Sequence, residues 1–460
     1  MFRIPPLNHH TMSAAERRSV ASLATLYAFR MLGLFMLLPV LSLYAGEYGH
    51  STPVLVGLAL GIYGLGQAAL QVPLGMLSDR IGRKPVIIAG LLLFAAGGIL
   101  AASADNIITV ILGRLLQGTG AIASTLTALL ADLTREQHRT KAMAAIGVSI
   151  GVSFALAMVI GPLAAAAIGV SGLFLLTSLL AVIGVFITLW LVPTPDVGGL
   201  NADSQSLRGL LGRCLQDRNL MRLNLGIFSL HAMLMAIFVA VPGLLEGQGL
   251  VRDDHWKMYL PVMLVAFLAM VPLIILAEKY NRMKQVFLSA ITAIIVVLSA
   301  ATWFAYDYWY LVVMITVFFV AFNLLEASLP SLVSKTVCPG GKGTAMGVYS
   351  TFQFLGAFFG GALGGGLLGL WGGSALFFGA ATLAGVWLLV AWNMTVPAKT
   401  DNLVLAWKFG SWDAAILRQE VLLIPGALDI TVLESEQLAY LRVSQDFNPA
   451  SLPDGIRLGS

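Results

Sequence analysis

Charge is what this chain has least of. Asp, Glu, Lys and Arg make up 11% of its 460 residues, against about 25% in ordinary soluble domains. Cysteine is scarcer still. Cys214 and Cys338 lie far apart, with no CxxC or Cys/His spacing. A disulfide framework and a zinc site are thereby excluded, and no metal or other cofactor is expected. No GxxxxGK[ST] stretch occurs, so ATP drive is not indicated and nothing reads as an enzyme. The N-terminal "MFRIPPLNHHTMSAAERRS" lacks an apolar core followed by a small-residue cleavage site. Residues 1–18 therefore read as a retained cytoplasmic segment. A net charge of +4 gives no argument for nucleic acid as a partner.

What the chain has is apolar length. It is 58% hydrophobic, with 48 glycines of the kind membrane helices tolerate. Runs long enough to span a bilayer recur twelve times, at about 19–45, 54–78, 85–103, 107–131, 141–168, 172–192, 222–247, 256–278, 284–305, 308–334, 343–370 and 372–394. The longest polar interval, 193–221, divides them six plus six. Its "SLRGLLGRCLQDRNLMRL" predicts an amphipathic helix on the membrane surface. Two helical units follow, 19–192 and 222–394.

Of the 27 Lys and Arg, nineteen fall at the N-terminus, in the even-numbered loops and just after the last span, and only Arg252 and Lys257 in an odd-numbered loop. That bias places both termini, the central loop and the tail in the cytoplasm, and the membrane is expected to be a bacterial inner membrane. The halves also repeat. "SDRIGRKPV" ends span two and "AEKYNRMKQV" span eight, at an offset of 199 residues; "KAMAAIGVS" and "TAMGVYSTF" open spans five and eleven, at an offset of 203. Two like-oriented halves are the parallel repeat of the major facilitator fold.

After a linker at 395–402 the composition changes. "LVLAWKF", "DITVLES" and "LAYLRVS" have the period of strands, and "SWDAAILRQEVLL" that of a helix capped by Ser411. The order β-α-β-β, with a short helix near Pro449, predicts a truncated ferredoxin-like α+β domain over 403–460.

The loop "GMLSDRIGRKP" carries the most specific pattern: Gly75, Asp79, Arg80, Gly82, Arg83 and Lys84. Positive-inside bias explains the basic residues but not Asp79 or the glycines. Gly82 permits a tight turn, Gly75 a close helix approach, and Asp79 can meet a helix N-terminus. By pseudo-symmetry that terminus is expected to be the start of span eleven. Asp132, at the end of span four, is grouped with this conformational set. Span four holds "GRLLQGTGA" with Arg114, and span five "GVSIGVSFALAMVIGP" with Gly161 and Pro162. With these motifs the whole membrane region resembles the drug:proton antiporter branch of the major facilitator superfamily. More narrowly it resembles the YajR-type transporters, which carry a ferredoxin-like domain after the twelfth helix. The resemblance implies an all-α, twelve-helix, two-bundle transporter with no cofactor. Two departures bear on mechanism. Ala164 and Ala165 follow Pro162 where the antiporter signature has glycines, so packing through small residues explains span five equally well. Arg30 also stands in span one where many relatives keep an acid.

Within the spans, away from their ends, Glu326 is the only carboxylate, His231 the only histidine, and Arg30 and Arg114 the only cations. Ionisable groups at membrane depth are costly and by default functional. Arg30, His231 and Glu326 lie at similar depth and are expected to converge on one cavity. There Glu326 can exchange a proton, its charge favoured by Arg30 and disfavoured by burial. The alternatives are a structural clamp of Glu326 to Asn323 or a neighbouring helix, a packing role for His231, and a structural Arg114. Tyr27, Tyr63, Gln71, Asn224, Phe228, Phe322, Asn323 and Gln353 are candidate cavity liners; lipid or another helix are equal alternatives. The expected function is proton-coupled export of a small molecule by a monomer whose tail regulates it or mediates self-association. A proton-coupled importer and a membrane sensor with little transport are the competing readings.

Overall fold

The computed structural model describes residues 12–194, 206–337, 342–395, 400–407, 413–433, 438–444, 446–453 and 456–458. Ten of its helical stretches are long and apolar enough to cross a membrane, and two of these are 50 residues long. At 1.5 Å per residue, 50 residues reach about 75 Å, over twice a ~30 Å hydrocarbon core. Both therefore cross twice, and the count is the expected twelve.

The first crossing is α1 (Ala14–Phe35) and α2 (Leu38–Tyr44), broken between them. The second and third are α3 (Pro53–Ile81) and α4 (Arg83–Ala102). The fourth is broken too, into α5 (Ile107–Thr119) and α6 (Ala123–Asp132). α7 (Glu136–Trp190) supplies the fifth and sixth, turning at Gly169. The short helix α8 (Ser206–Gln216) falls in the expected linker. α9 (Arg218–Gly247), α10 (His255–Lys279), α11 (Met283–Phe304) and α12 (Tyr308–Thr336) follow, and α13 (Lys342–Trp392) makes the last two crossings, turning at Gly372.

Helix starts follow capping chemistry. Ser13 and Glu16 form a reciprocal capping box on α1, and Thr52, Asn106, Asp217 and Asp307 accept first-turn N–H groups of α3, α5, α9 and α12. The repeat reaches the turns. Gly82 and Asn281 both hold positive φ, at 96° and 52°, with the 199-residue offset of the loop motifs. Gly169 and Gly372 hold φ of 68° and 80° with the 203-residue offset.

One end of the molecule carries the basic loops after α3 and α6; it is called the basic end below. The two bundles meet over the opposite half. α3 and α13 run so close there that a Cβ on Gly57 would stand 2.2 Å from the Gly361 carbonyl oxygen, and one on Gly365 would stand 2.5 Å from that of Pro53. Ser42 Oγ donates to the Phe238 carbonyl at 3.0 Å. Phe154 on α7 lies against Phe319 and Phe322 on α12, with ring centroids 5.6 and 5.8 Å apart. Toward the basic end no such approach is described: Cβ atoms on Gly343 and Gly347 of α13 would meet nothing within 4 Å.

A charged latch sits at the rim of the closed half. Arg252 donates to Glu47 at 3.1 Å across the bundles, pairs with Glu246 at 3.4 Å and lies over the Tyr44 ring. Burial pushes the neighbouring Tyr48 hydroxyl up to about 12, so it stays neutral beside Glu47. The latch is largely exposed, and exposed pairs contribute about 0.2–1 kcal/mol. Arg252→Gln is therefore expected to shift the balance of closed and open forms by no more than about fivefold. Label-to-label distances across this end check it; a shift beyond tenfold would make the latch the main closing force.

The tail is β1 (Thr400–Trp407), α14 (Ala414–Leu422), β2 (Ala427–Leu433), β3 (Leu438–Ser444) and β4 (Ile456–Leu458). All pairings are antiparallel in the order β2-β3-β1-β4. That is the ferredoxin-like order, with a 3-10 turn at Pro449–Ser451 where a second helix would stand. The three-residue β4 was not anticipated, being too short for a periodic signal. Ser411 lies outside the described residues; Asp413 accepts the Ile416 N–H at 3.4 Å at the start of α14. Leu405, Leu417, Val421, Ile430, Ala439 and Leu441 form a core separate from those of the bundles. A chain ending near Thr400 is accordingly expected to insert and stay monodisperse. Size-exclusion and circular dichroism check this, and loss of the membrane fold would contradict it.

Candidate functional site

Three helices of the second bundle each bring one polar side chain to a common point. α9 brings His231, α12 brings Glu326 and α13 brings Gln353. The Gln353 amide nitrogen donates to Glu326 Oε1 at 3.3 Å and stands 2.9 Å from His231 Nε2. His231 Nδ1 lies 3.8 Å from Glu326 Oε2. An amide NH2 has two hydrogens and no lone pair to offer. With one given to the carboxylate and the other to Nε2, the imidazole is neutral and its proton sits on Nδ1, facing the second carboxylate oxygen. This tautomer is assigned from its partners. Gln353 thus bridges one acid and one base, and protonating either at the bridged atom breaks one of its bonds.

The surroundings leave polar capacity unused. Asn323 Nδ2, on the turn before Glu326, and the Tyr349 hydroxyl, on the turn before Gln353, are buried and make no hydrogen bond within the protein; the same holds for Asn224 Oδ1, seven residues before His231 on α9. Phe322 lies against the His231 ring, centroids 5.7 Å apart, and continues into the aromatic cluster of Phe318, Phe319 and Phe154. Apolar walls with a few convergent polar groups are the usual make-up of a small-molecule site. The Glu326 side chain is 31% exposed and that of His231 8%, yet Glu326 Oε2 itself is buried and makes no hydrogen bond within the protein.

Arg30 does not join this cluster. It donates to Gln67 Oε1 at 2.5 Å and to the Tyr63 hydroxyl at 3.3 Å, both on α3. Its side chain points into the first bundle. The expected Arg30–Glu326 pairing is replaced by Gln353 on one side and Gln67 on the other. Arg114 lies in the same bundle, over the Tyr63 ring at 5.1 Å and bonded to Gln117 at 3.2 Å. Glu326 bonds a neighbouring helix rather than Asn323, the alternative on its own helix.

The other singled-out residues are dispersed. The Tyr27 hydroxyl contacts Ala123 O and Thr127 Oγ1 at 2.5 and 2.6 Å, tying α1 to α6. Tyr63 touches Phe354 across the bundles. Gln71 is buried with its Oε1 unbonded, and Phe228 packs on Phe359. At the basic end Arg83 binds Asp79 and Ser78 and donates to Asp132 at 3.0 Å. In this arrangement Asp79 therefore meets Arg83 and makes no described bond to the start of α13, its expected partner; residues 340 and 341, just before that helix, lie outside the described ones. Arg80 and Lys84 make no described ion pair. A Cβ on Gly75 would stand 3.2 Å from Ser124, the close approach expected. One on Gly161, beside Pro162, would stand 2.5 Å from Met36 O, so Gly161 lets the fifth crossing reach the break in the first.

Two residues escaped the sequence reading. Gln67 carries Arg30, yet Gln71 was chosen one helical turn away. Tyr349 sits one turn before Gln353, and that i,i+4 spacing was its only signal.

A family model described as "Major Facilitator Superfamily" matches residues 23–361. The inner membrane transport protein YajR of Escherichia coli is 47% identical over 438 residues, covering 95% of this chain and 96% of its own. The multidrug resistance protein MdtH of Aeromonas salmonicida is 27% identical over 380 residues, covering 78% of this chain and 87% of its own. Among solved structures, a D-xylose-proton symporter superposes with a TM-score of 0.66 at 14% identity, over 83% of this chain and 98% of its own; that likeness concerns the fold alone.

Proposed function

The chain belongs to the Major Facilitator Superfamily, and from that premise we propose that it is an inner-membrane antiporter that exports a small molecule in exchange for protons. That it is a multi-pass membrane transporter and no enzyme follows from the family; the rest is our reading. The Lys and Arg bias makes the basic end cytoplasmic. The arrangement described above is then open to the cytoplasm and closed outside, ready to load cargo from within. Rocking the bundles about the site would expose it to the other side. The carrying observation is Glu326. It is a carboxylate at membrane depth whose described partners are neutral, one amide and one imidazole. A group so placed can hold a proton in one state and release it in the other at little cost. The distant likeness to a multidrug resistance protein supports export. Arg114 and the Arg83–Asp132 pair serve this cycle structurally, and the protein works as a monomer.

Reconstituted vesicles with an imposed pH gradient test the reading against a substrate panel. An antiporter moves the proton pool and a panel member in opposite directions. Co-directional movement makes the protein an importer, and no proton movement with any panel member rejects coupling.

A further inference from the structure

The interior of the first bundle holds two guanidinium groups and no acid. Between residues 19 and 192 the acids are Glu47, Asp79, Asp105, Asp132 and Glu136, all at helix ends or in loops. Arg30 is 4% exposed and Arg114 not at all. Guanidinium does not shed its proton in proteins, so both charges are permanent. An isolated buried ion costs several kcal/mol even after relaxation, and here two meet one tyrosine, Arg30 at the Tyr63 hydroxyl and Arg114 over its ring.

The protein's own compensation falls short. Every described hydrogen-bond acceptor is neutral: Gln67 Oε1, the Tyr63 hydroxyl, Ala59 O and Gln117 Oε1. Gln67 passes its other end to Gly118 O, at the C-terminus of α5. A helix end supplies about half a negative charge, against two positive ones. Three donors remain unbonded within the protein: Arg30 Nε and Nη1, and Arg114 Nη2.

Arg30 borders a small cavity inside the bundle. Leu26, Leu91, Phe94, Ala181 and Thr177 line it, the Thr177 hydroxyl being engaged with Phe174 O and the Gln117 amide. Apolar walls around an unsatisfied guanidinium edge suit a small, weakly hydrated anion better than a carboxylate-bearing molecule, which would need further donors and more room.

We propose that the first bundle binds one small monovalent anion, a halide such as chloride, at the free edge of Arg30. The anion neutralises a fixed charge in the bundle core. It is a resident ligand, separate from the Glu326 site in the other bundle, and the inference stands whatever the direction of transport.

The full-length protein is purified in sodium gluconate and titrated with radiolabelled chloride at constant sodium. Saturable binding near one chloride per chain is expected, with bromide competing. The unfolding midpoint should rise by several degrees in chloride or bromide relative to gluconate. Arg30→Gln should lose both effects, while Lys257→Gln, which removes an exposed cation, should keep them. Ala181→Leu fills the cavity with the guanidinium in place and should also lose binding; it serves if Arg30→Gln fails to fold. Absence of saturable binding to the unaltered protein overturns the proposal, and so does full binding by either cavity variant.

Discussion

Replacing Glu326 by Gln is expected to leave the twelve-crossing fold intact and to reduce pH-gradient-driven transport to the level of empty vesicles. Gln keeps the shape of the side chain and an acceptor for the Gln353 amide at Oε1, so the bridge to His231 survives. What it removes is the proton. Exchange of substrate across the membrane without a gradient should persist, because the bundles still rock and the aromatic walls are untouched. Glu326→Asp keeps the proton but shortens the side chain by one methylene, lengthening the 3.3 Å contact beyond hydrogen-bond range. Part of the activity should remain, with an altered pH profile. A cationic substrate offers the carboxylate a second use as counter-ion, and then Glu326→Gln would lose binding of cations while binding neutral molecules. Full gradient-driven transport by Glu326→Gln would leave Glu326 a structural clamp.

The second large effect is conformational. The closed half depends on backbone contact between α3 and α13, where only glycine fits: a Cβ on Gly57 or Gly361 would reach 2.2 or 2.5 Å from the facing carbonyl oxygen. Side chains lack the freedom to relieve such a contact, so the helices must part. Overpacking typically costs about 1–3 kcal/mol, enough to reduce the closed form by about 5- to 150-fold relative to the other. Gly57→Val should therefore hold the molecule open at the end carrying His50 and Val251, and transport should fall with the population that is lost. Distances between labels at those two exposed positions, with Cys214 and Cys338 replaced beforehand, read the shift. Gly243→Val is the control, since its Cβ would meet nothing within 4 Å. Unchanged distances in Gly57→Val would show that the α3–α13 contact does not set the closed state.

These two sites illustrate what the sequence exposes and what it hides. Span count, the six-plus-six division and the turn at Gly82 were legible, because length, charge bias and repetition are one-dimensional properties. The positions of Glu326, His231 and Arg30 along their helices were legible for the same reason. Their azimuths were not. In a soluble helix the apolar stripe marks the buried face, but a membrane helix is apolar on the side facing lipid as well as the side facing protein. Nothing in the stretch around Arg30 says that it turns toward Gln67 rather than toward Glu326. Gln353 was singled out as a cavity liner, yet its role as the bridge between acid and base needed three helices in place. The Arg252 latch was visible only as an anomaly, a cation in an odd-numbered loop, and its partners come from both bundles. The α3–α13 contact was hidden because glycine is abundant throughout, and a packing glycine looks like any other until its neighbour is known.

The central claim is that one carboxylate, Glu326, carries the exchanged proton. The most direct test is proton release in weakly buffered solution when the purified protein meets a substrate identified in the vesicle panel. The account predicts about one proton released per chain by the unaltered protein and none by Glu326→Gln at the same occupancy. Equal release from both would contradict it.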